Sequence, residues 1–298
     1  MRYVGVFNRD GGTFKTIDMD AFCTQAQQIF LHHGHGLDCT VVDGPEIVSA
    51  LEAAVRRPDI DVLLAGGGDG TVSAAADIAF RQGVPLAVLP AGTMNLFARS
   101  LQVPLGLADA LEALASGQVA AVDIATANGK PFVHHFGVGI HARLVRIRDS
   151  LTYNSRLGKM LASLRALLTA IMHPPRFEAE IRTRRGVERR VTSGITISNN
   201  PVGEGHVPHA DSLDQGVLGV YVARPLSEWA LARLFVQVLA GHWKDNPQVS
   251  EKEVQELTLR FPRKHRQAQA VLDGELIALE DKVVLKIHPG GLRVIAPA

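Results

Sequence analysis

The chain has few cysteines, no long apolar run and almost no net charge. Only Cys23 and Cys39 are cysteines among its 298 residues, which does not resemble a disulfide framework and indicates a reducing compartment. No apolar run approaches the ~20 residues of a membrane-spanning helix, and the amino-terminal run turns polar at Asn8, too early for a signal peptide. A net charge of +1 gives no global field that would attract nucleic acid. We therefore expect a cytoplasmic protein without a nucleic-acid partner, and any membrane contact would be peripheral at the inner surface.

The two common phosphate-binding patterns are also missing, but a glycine-rich loop is present at Gly66–Thr71. The pattern GxxxxGK[ST] does not occur, and GxGxxG fails because Val72 takes the place of the last glycine. Glycines that follow a buried strand let backbone N–H groups approach an oxyanion, and a following helix adds its positive dipole end. Asp69 would repel phosphates unless Mg²⁺ or a hydrogen-bonded network lies between them. The loop predicts a phosphate cradle, and a tight turn capped by Asp69 is the alternative.

Residues 1–125 alternate strand-like and helix-like segments, which is typical of a parallel sheet covered by helices on both faces. The predicted strands are Tyr3–Phe7, Cys39–Val42, Asp61–Ala65 and Pro85–Leu89, and the predicted helices are Met19–His32, Glu46–Arg56 and Val72–Arg81. Ligands of such sheets bind beyond the carboxyl ends of the strands, where Gly66 lies.

Residues 126–298 read mainly as strands separated by turns such as Asn128-Gly129 and Asp273-Gly274, which predicts an antiparallel β-sandwich. The expected strands include Phe132–Phe136, Val187–Ile197 and Val283–Ile287. Two helix-like inserts, Leu157–Met172 and Leu226–Trp243, interrupt them. The apolar side chains of the second insert could face the core or lie at a membrane interface.

A second loop follows the Pro85–Leu89 strand and contains Gly92, Thr93 and Asn95. Pro-x-Gly-Thr predicts a tight turn, from which Thr93 and Asn95 could donate hydrogen bonds to a phosphate or a ribose. Threonine and asparagine also cap helices commonly. This loop therefore indicates a binding site only in combination with the Gly66–Thr71 loop.

Three motifs together resemble the diacylglycerol kinase catalytic-domain family: Gly-Gly-Asp-Gly-Thr at 67–71, Pro-x-Gly-Thr-x-Asn at 90–95, and Asp273-Gly274-Glu275. That family includes bacterial diacylglycerol and phosphatidylglycerol kinases, sphingosine kinases and ceramide kinases. The resemblance covers nearly the whole chain. It implies an N-terminal α/β nucleotide-binding domain, a C-terminal β-sandwich domain for the lipid, and an active site in the cleft between them.

The resemblance also implies roles for individual residues. Asp69 would act through Mg²⁺ as the metal-binding and catalytic carboxylate, and either Asp273 or Glu275 would accept the proton of a lipid hydroxyl that attacks the γ-phosphate. The residues implied in ATP binding are Asn8, Gly66, Gly67, Gly68, Asp69, Gly70, Thr71, Gly92, Thr93 and Asn95.

Several positions depart from the family pattern. Leu96 stands where an aspartate usually follows Asn95, His141 replaces the aspartate of a Gly-x-Asp-Ala motif, and Gln215 replaces an aspartate that holds a structural cation in some bacterial members. A neutral amide oxygen is a weaker cation ligand than a carboxylate. These changes leave the phosphate loop intact.

The resulting expectation is an ATP- and Mg²⁺-dependent lipid kinase that phosphorylates a diacylglycerol-like lipid at a membrane surface. Alternative acceptors for the same cradle are a sphingoid base, ceramide, phosphatidylglycerol or NAD⁺. An alternative from another functional class is a regulator that binds a nucleotide or a lipid and catalyses no reaction. The lipid, the choice between Asp273 and Glu275, and the oligomeric state, of which a homodimer is one option, stay open at this point.

Overall fold

The computed structural model describes residues 1–150, 174–203 and 209–297. The strands in chain order are β1 Arg2–Asn8, β2 Gly36–Val42, β3 Val62–Gly67, β4 Leu86–Pro90, β5 Gln118–Ala127, β6 Lys130–Phe132, β7 His135–Gly139, β8 Phe177–Thr183, β9 Gly186–Thr192, β10 Gly194–Asn199, β11 Leu218–Ala223, β12 Val249–Val254, β13 Glu256–Arg260, β14 Gln269–Leu272, β15 Glu275–Ala278 and β16 Lys282–Ala296. The helices are α1 Met19–His32, α2 Ile47–Val55, α3 Asp69–Gln82, α4 Leu96–Ser100, α5 Leu107–Ala115, α6 Ile140–Ser150 and α7 Glu228–Leu239. The described residues contain no helix that is both long and apolar enough to cross a membrane.

The first sheet begins with four parallel strands in the order β2-β1-β3-β4. Every residue of β3 and β4 is buried, which is expected where helices cover both faces of a parallel sheet. Phe7 pairs with Gly66, and Gly67 pairs with Pro90. This register brings the carboxyl ends of β1, β3 and β4 to one edge and confirms the α/β class of the amino-terminal half.

The second sheet is antiparallel, in the order β12-β11-β10-β7-β14-β15. Its apolar face packs on strands β5, β8, β13 and β16 of the first sheet, and the two layers share one hydrophobic core. Ile197, Leu218, Leu259 and Leu285 are fully buried there. This packing confirms the predicted C-terminal sandwich.

The last strand connects the two halves of the molecule. The amino-terminal part of β16 pairs with β13 in the sandwich, whereas Val294 pairs in parallel with Leu86 of β4. An irregularity between His288 and Leu292 separates the two parts. The first sheet is therefore continuous across both halves. The boundary predicted at residue 125 lies within β5 and stays a prediction.

Two predicted strands are wrong in their extent. Val187–Ile197 is divided between β9 in the first sheet and β10 in the second, and Phe132–Phe136 is divided between β6 and β7 in the same way. The alternation of apolar and polar residues continues through such a crossing, so it does not mark the change of layer. The predicted helix Leu157–Met172 lies outside the described residues.

A buried carboxylate fixes three loops of the sandwich. Asp123 is 1% exposed. Its Oδ2 accepts hydrogen bonds from Asn200 Nδ2 (2.7 Å) and the backbone N–H of Gly216 (2.6 Å), and its Oδ1 accepts from the N–H of Gly290 (2.9 Å). Gln215, next to one of these donors, is exposed. Loops from three parts of the chain therefore depend on one side chain.

We predict that Asp123→Asn lowers the free energy of unfolding by about 2–4 kcal/mol, because an amide offers one acceptor oxygen to the three donors that the buried carboxylate accepts from. Urea denaturation of the full chain measures the change. The control is Asp214→Asn at an exposed position, which should unfold at the wild-type midpoint. Equal stability of the two variants would contradict the role assigned to Asp123.

Candidate active site

The two glycine loops approach each other at the carboxyl edge of the parallel strands. A Cβ at Gly92 would lie 2.6 Å from Gly68 Cα, and a Cβ at Gly67 would lie 2.5 Å from Thr71 Oγ1. Distances this short exclude a side chain at either position unless the backbone moves. Part of the glycine pattern is therefore required by contact between the loops.

Asp69 is the carboxylate within the first glycine loop. Its Oδ2 accepts the backbone N–H of Asn95 at 3.0 Å, and its Oδ1 accepts that of Leu96 at 2.7 Å. The side chain of the first loop thus holds the second loop at the start of α4. A carboxylate oxygen has two lone pairs, so each oxygen of Asp69 keeps one free for a further ligand.

Asn95 shapes the second loop. Its backbone has φ = 51°, a left-handed conformation that asparagine tolerates better than most residues. Its Oδ1 accepts from Gly92 N–H at 2.8 Å and its Nδ2 donates to the Gly92 carbonyl at 2.9 Å. The amide therefore closes the turn, while Thr93 at the tip is exposed.

The amino terminus of α3 opens toward a cleft. Gly68 precedes the helix and no side chain caps this end. Asn8, the last residue of β1, donates from Nδ2 to Thr71 Oγ1 at 3.0 Å. Uncapped N–H groups and the helix dipole favour an anion at this position.

Asp273 begins the two-residue turn between β14 and β15. Asp273 and Gly274 have φ values of 47° and 84°, as an Asp-Gly hairpin turn requires. Asp273 Oδ1 accepts from the N–H groups of His134 (2.9 Å) and His135 (3.0 Å), and Oδ2 accepts from Val133 N–H (2.9 Å) and Ser73 Oγ (2.6 Å). Four donors fill the lone pairs of this buried carboxylate.

Glu275, two residues later, has a different environment. It is exposed, and a Cβ at Gly70 would lie 3.8 Å from its Oε1. Glu275 and Gly70 line a cleft of about 670 Å³, together with Asn8, Thr71, Ser73 and Lys130. Arg56 and Arg81 at its rim pair with Glu52 and Asp77. Lys130 forms no ion pair with any described residue.

A histidine connects the phosphate loop to a second cavity. His134 Nε2 lies 3.6 Å from Asp69 Oδ1, which is too long for a hydrogen bond. The His134 side chain is 7% exposed, and Nε2 has no hydrogen-bond partner. The rings of His134 and Phe97 pack edge to face, with their centroids 6.2 Å apart. A buried imidazole nitrogen without a partner is costly and marks a position that a ligand can satisfy.

The second cavity is mostly apolar, with a volume of about 430 Å³. Strands β7, β10 and β11 form its floor, and helices α6 and α7 contribute Ile140, Leu144 and Leu234 to its walls. His134, His135, His141 and Ser100 lie at one end. This volume and lining are typical of a site for a small apolar ligand.

His135 and His141 form a pair at that end. Their Nε2 atoms are 3.1 Å apart and their ring centroids 4.4 Å apart, so one ring donates a hydrogen bond to the other. Burial lowers the pKa of His135 well below its ordinary value of 6.5, and a positive charge on His141 would lower that pKa further.

The structure brings the predicted residues into two groups. Asn8, Gly70, Thr71 and Glu275 line the cleft, whereas Asp69, Gly92 and Asn95 form the joint between the loops. Sequence reasoning missed Ser73, Lys130 and His134. The only sequence signal at His134 is the adjacent His135. Among the described residues no three His, Cys, Asp or Glu side chains converge as a metal-binding group.

We predict that acid destabilises the fold through His135. The pKa of this ring is lower in the folded than in the unfolded chain, so its stabilising effect is complete above pH 6.5 and is lost as the pH falls. The loss is at most about 1.4 kcal/mol per pH unit for one group. Chemical denaturation at several pH values measures the free energy of unfolding. Below pH 6.5 this free energy should fall less steeply with pH in His135→Gln than in the wild type. The control is His242→Gln at an exposed position, for which the free energy of unfolding should depend on pH as in the wild type. The same pH dependence in both variants would contradict the role of His135.

Comparisons with known proteins give matches to both halves of the chain. Residues 2–127 match the family model of the diacylglycerol kinase catalytic domain, and residues 135–296 match that of the YegS C-terminal NAD kinase beta sandwich-like domain. A diacylglycerol kinase of Bacillus subtilis is 25% identical over 248 residues, which cover 79% of this chain and 77% of that protein. An uncharacterized protein of Synechocystis is 31% identical over 85% of this chain, but the chain spans only 59% of its length.

The solved structure of a diacylglycerol kinase from Bacillus anthracis superposes with a TM-score of 0.69 at 16% identity, over 99% of this chain and 96% of that one. At this identity the likeness shows the fold alone. The two family models cover nearly all of the chain and meet where the first sheet passes into the sandwich. The chain therefore belongs to the family of diacylglycerol kinase-like lipid kinases.

Proposed function

We propose that this protein transfers the γ-phosphate of ATP to a hydroxyl of a diacylglycerol-like lipid. One observation carries the proposal: the phosphate loop lines one cavity and lies next to a residue that lines another. Gly70 lines the cleft with Glu275, and its neighbour Asp69 lies 3.6 Å from His134, which lines the apolar cavity. A phosphate bound to this loop would lie between a nucleotide on one side and a lipid on the other.

The cleft beside the phosphate loop suits a nucleotide. The uncapped amino terminus of α3 supplies N–H donors to the phosphates, and Lys130 supplies a cation that the loop itself lacks. A Cβ at Gly70 would fill the gap between the loop and Glu275, so glycine keeps this space open for a phosphate. These features substitute for the lysine of the commoner phosphate loops.

Asp69 fits a role in holding Mg²⁺. Mg²⁺ in kinases is held by one or two carboxylates together with substrate phosphates, and each oxygen of Asp69 keeps one lone pair after accepting its backbone N–H. When bound, the ion would neutralise charge on the phosphates.

Glu275 is the proposed proton acceptor. Its carboxylate is exposed in the cleft beside Gly70, whereas Asp273 already accepts four hydrogen bonds. As the lipid oxygen attacks the γ-phosphorus, its proton passes to Glu275, the bond to the β-phosphate oxygen breaks, and ADP leaves. His134 Nε2 would donate a hydrogen bond to the incoming acceptor, which satisfies its buried nitrogen.

The apolar cavity favours a lipid over other acceptors. Ile140, Leu144 and Leu234 suit an acyl chain, and NAD⁺ would leave its polar groups unpaired against them. The name of the Bacillus subtilis relative points to diacylglycerol in particular.

The proposal is tested by incubating the protein with γ-labelled ATP, Mg²⁺ and vesicles that contain diacylglycerol, and by extracting the product into chloroform. Label in a phosphatidic acid product supports the proposal. Nucleotide binding without labelled lipid, across bacterial lipid extracts as well, would favour a regulator instead.

We predict that Glu275→Gln lowers kcat about 10²–10⁴-fold because the proton acceptor is lost, while KM for ATP changes little. Steady-state kinetics in the labelling assay measure both constants. Glu280→Gln, an exposed substitution near the end of the same hairpin, is the control and should retain wild-type kcat. A Glu275→Gln enzyme with full kcat would exclude Glu275 as the base.

We further predict that Thr196→Phe, which places a ring in the apolar cavity from β10, raises KM for long-chain diacylglycerol about tenfold or more. The KM for ATP should stay the same because Thr196 does not line the cleft proposed for the nucleotide. Kinetics with long-chain and short-chain diacylglycerols provide the comparison. An unchanged preference for chain length would show that acyl chains bind elsewhere.

A further inference from the structure

Helix α7 carries the most exposed large apolar side chain of the described residues. Trp229 is 86% exposed and Val236 is 62% exposed. Arg233 lies between them and is also exposed. Positions 229, 233 and 236 follow the spacing i, i+4, i+7, so the three side chains occupy one face of the helix. Contact of water with an exposed tryptophan and a neighbouring valine is unfavourable in free energy, and another surface that covered them would remove this cost.

The opposite face of α7 is anchored to the sandwich. Leu231 is buried and packs, with Leu226 just before the helix, against Ile140 at the start of α6. Leu234 on this side lines the apolar cavity. The helix is therefore apolar on both faces, and only the inner face has a partner among the described residues.

We propose that the outer face of α7, formed by Trp229, Arg233 and Val236, docks on a bilayer that contains anionic lipid. This inference rests on the proposed function, because the cavity beneath the helix is the proposed site of a membrane lipid. A helix is about 10–12 Å across, so docking its outer face brings the cavity wall to within that distance of the bilayer surface.

Residue chemistry favours a bilayer over a protein partner. Tryptophan rings concentrate at the interface between lipid headgroups and acyl chains, where an apolar body and a polar N–H are both satisfied. Arg233 forms no ion pair with any residue that the structure describes, so its charge is available to an anionic headgroup. Each basic residue near such a surface contributes modestly, and the tryptophan supplies the apolar part.

The first test measures sedimentation of the full chain with vesicles, without ATP. The vesicles consist of phosphatidylcholine alone or of phosphatidylcholine with phosphatidylglycerol. Trp229→Ser should weaken binding to both kinds about tenfold. Arg233→Gln should weaken binding about fivefold to the anionic vesicles only. The matched control is Leu31→Ser on α1, where the leucine is 72% exposed, and this variant should bind as the wild type does.

Tryptophan fluorescence gives a second readout. The wild type should show a blue shift on adding vesicles, and Trp229→Ser should not. Unchanged vesicle affinity of Trp229→Ser overturns the proposal. A wild-type dimer that becomes a monomer in Trp229→Ser, with vesicle binding retained, would instead identify the face as an interface between copies of this chain.

Activity separates this proposal from the proposed function. With a short-chain diacylglycerol that dissolves without vesicles, Trp229→Ser should match the wild type, while its rate on vesicle lipid falls. An equal loss on both substrates overturns the docking role. If the wild type phosphorylates neither lipid but its vesicle binding still requires Trp229, docking stands and the kinase proposal fails.

Discussion

The hydrogen bonds of Asp273 connect the two halves of the molecule at the site. Ser73 lies on the helix that follows the phosphate loop, and residues 133–135 lead from the first sheet into the second. One buried carboxylate accepts hydrogen bonds from both, so it holds this helix against the connection between the two sheets. Because the turn after Asp273 is only two residues long, Glu275 is directed back toward Gly70. The position of Glu275 depends on these four hydrogen bonds.

The three carboxylates of the site consequently have separate tasks. Asp273 accepts four hydrogen bonds, Asp69 joins the two glycine loops and keeps one lone pair free on each oxygen, and Glu275 remains exposed in the cleft. An aspartate whose lone pairs all accept hydrogen bonds has none left to accept the hydrogen of an incoming hydroxyl. Hydrogen bonds also explain why an aspartate can stand within the glycine loop, because the backbone N–H groups of Asn95 and Leu96 are partners for its carboxylate.

Much of this arrangement follows from local sequence. The glycine loop after a buried strand, the Asp-Gly turn and the α1 helix at Met19–His32 are each specified by neighbouring residues, and the structure has them where the sequence predicts them. The hydrogen bond from Ser73 to Asp273 joins residues that are 200 positions apart in the sequence, and no local sequence pattern predicts it. The return of β16 to the first sheet and the approach of His134 to Asp69 depend in the same way on tertiary packing. The prediction of strand Val187–Ile197 failed for a related reason, since alternation does not record which sheet a strand joins.

The central claim is that Glu275, and not Asp273, meets the acceptor hydroxyl between a nucleotide cleft and an apolar cavity. A crystal structure with a non-hydrolysable ATP analogue and diacylglycerol tests it most directly. The account predicts phosphates at Gly66–Thr71, an acyl chain against Leu144 and Leu234, and the glycerol hydroxyl within hydrogen-bond distance of Glu275. A hydroxyl bound to Asp273 with the Ser73 hydrogen bond broken, or an acyl chain outside the cavity, would contradict it.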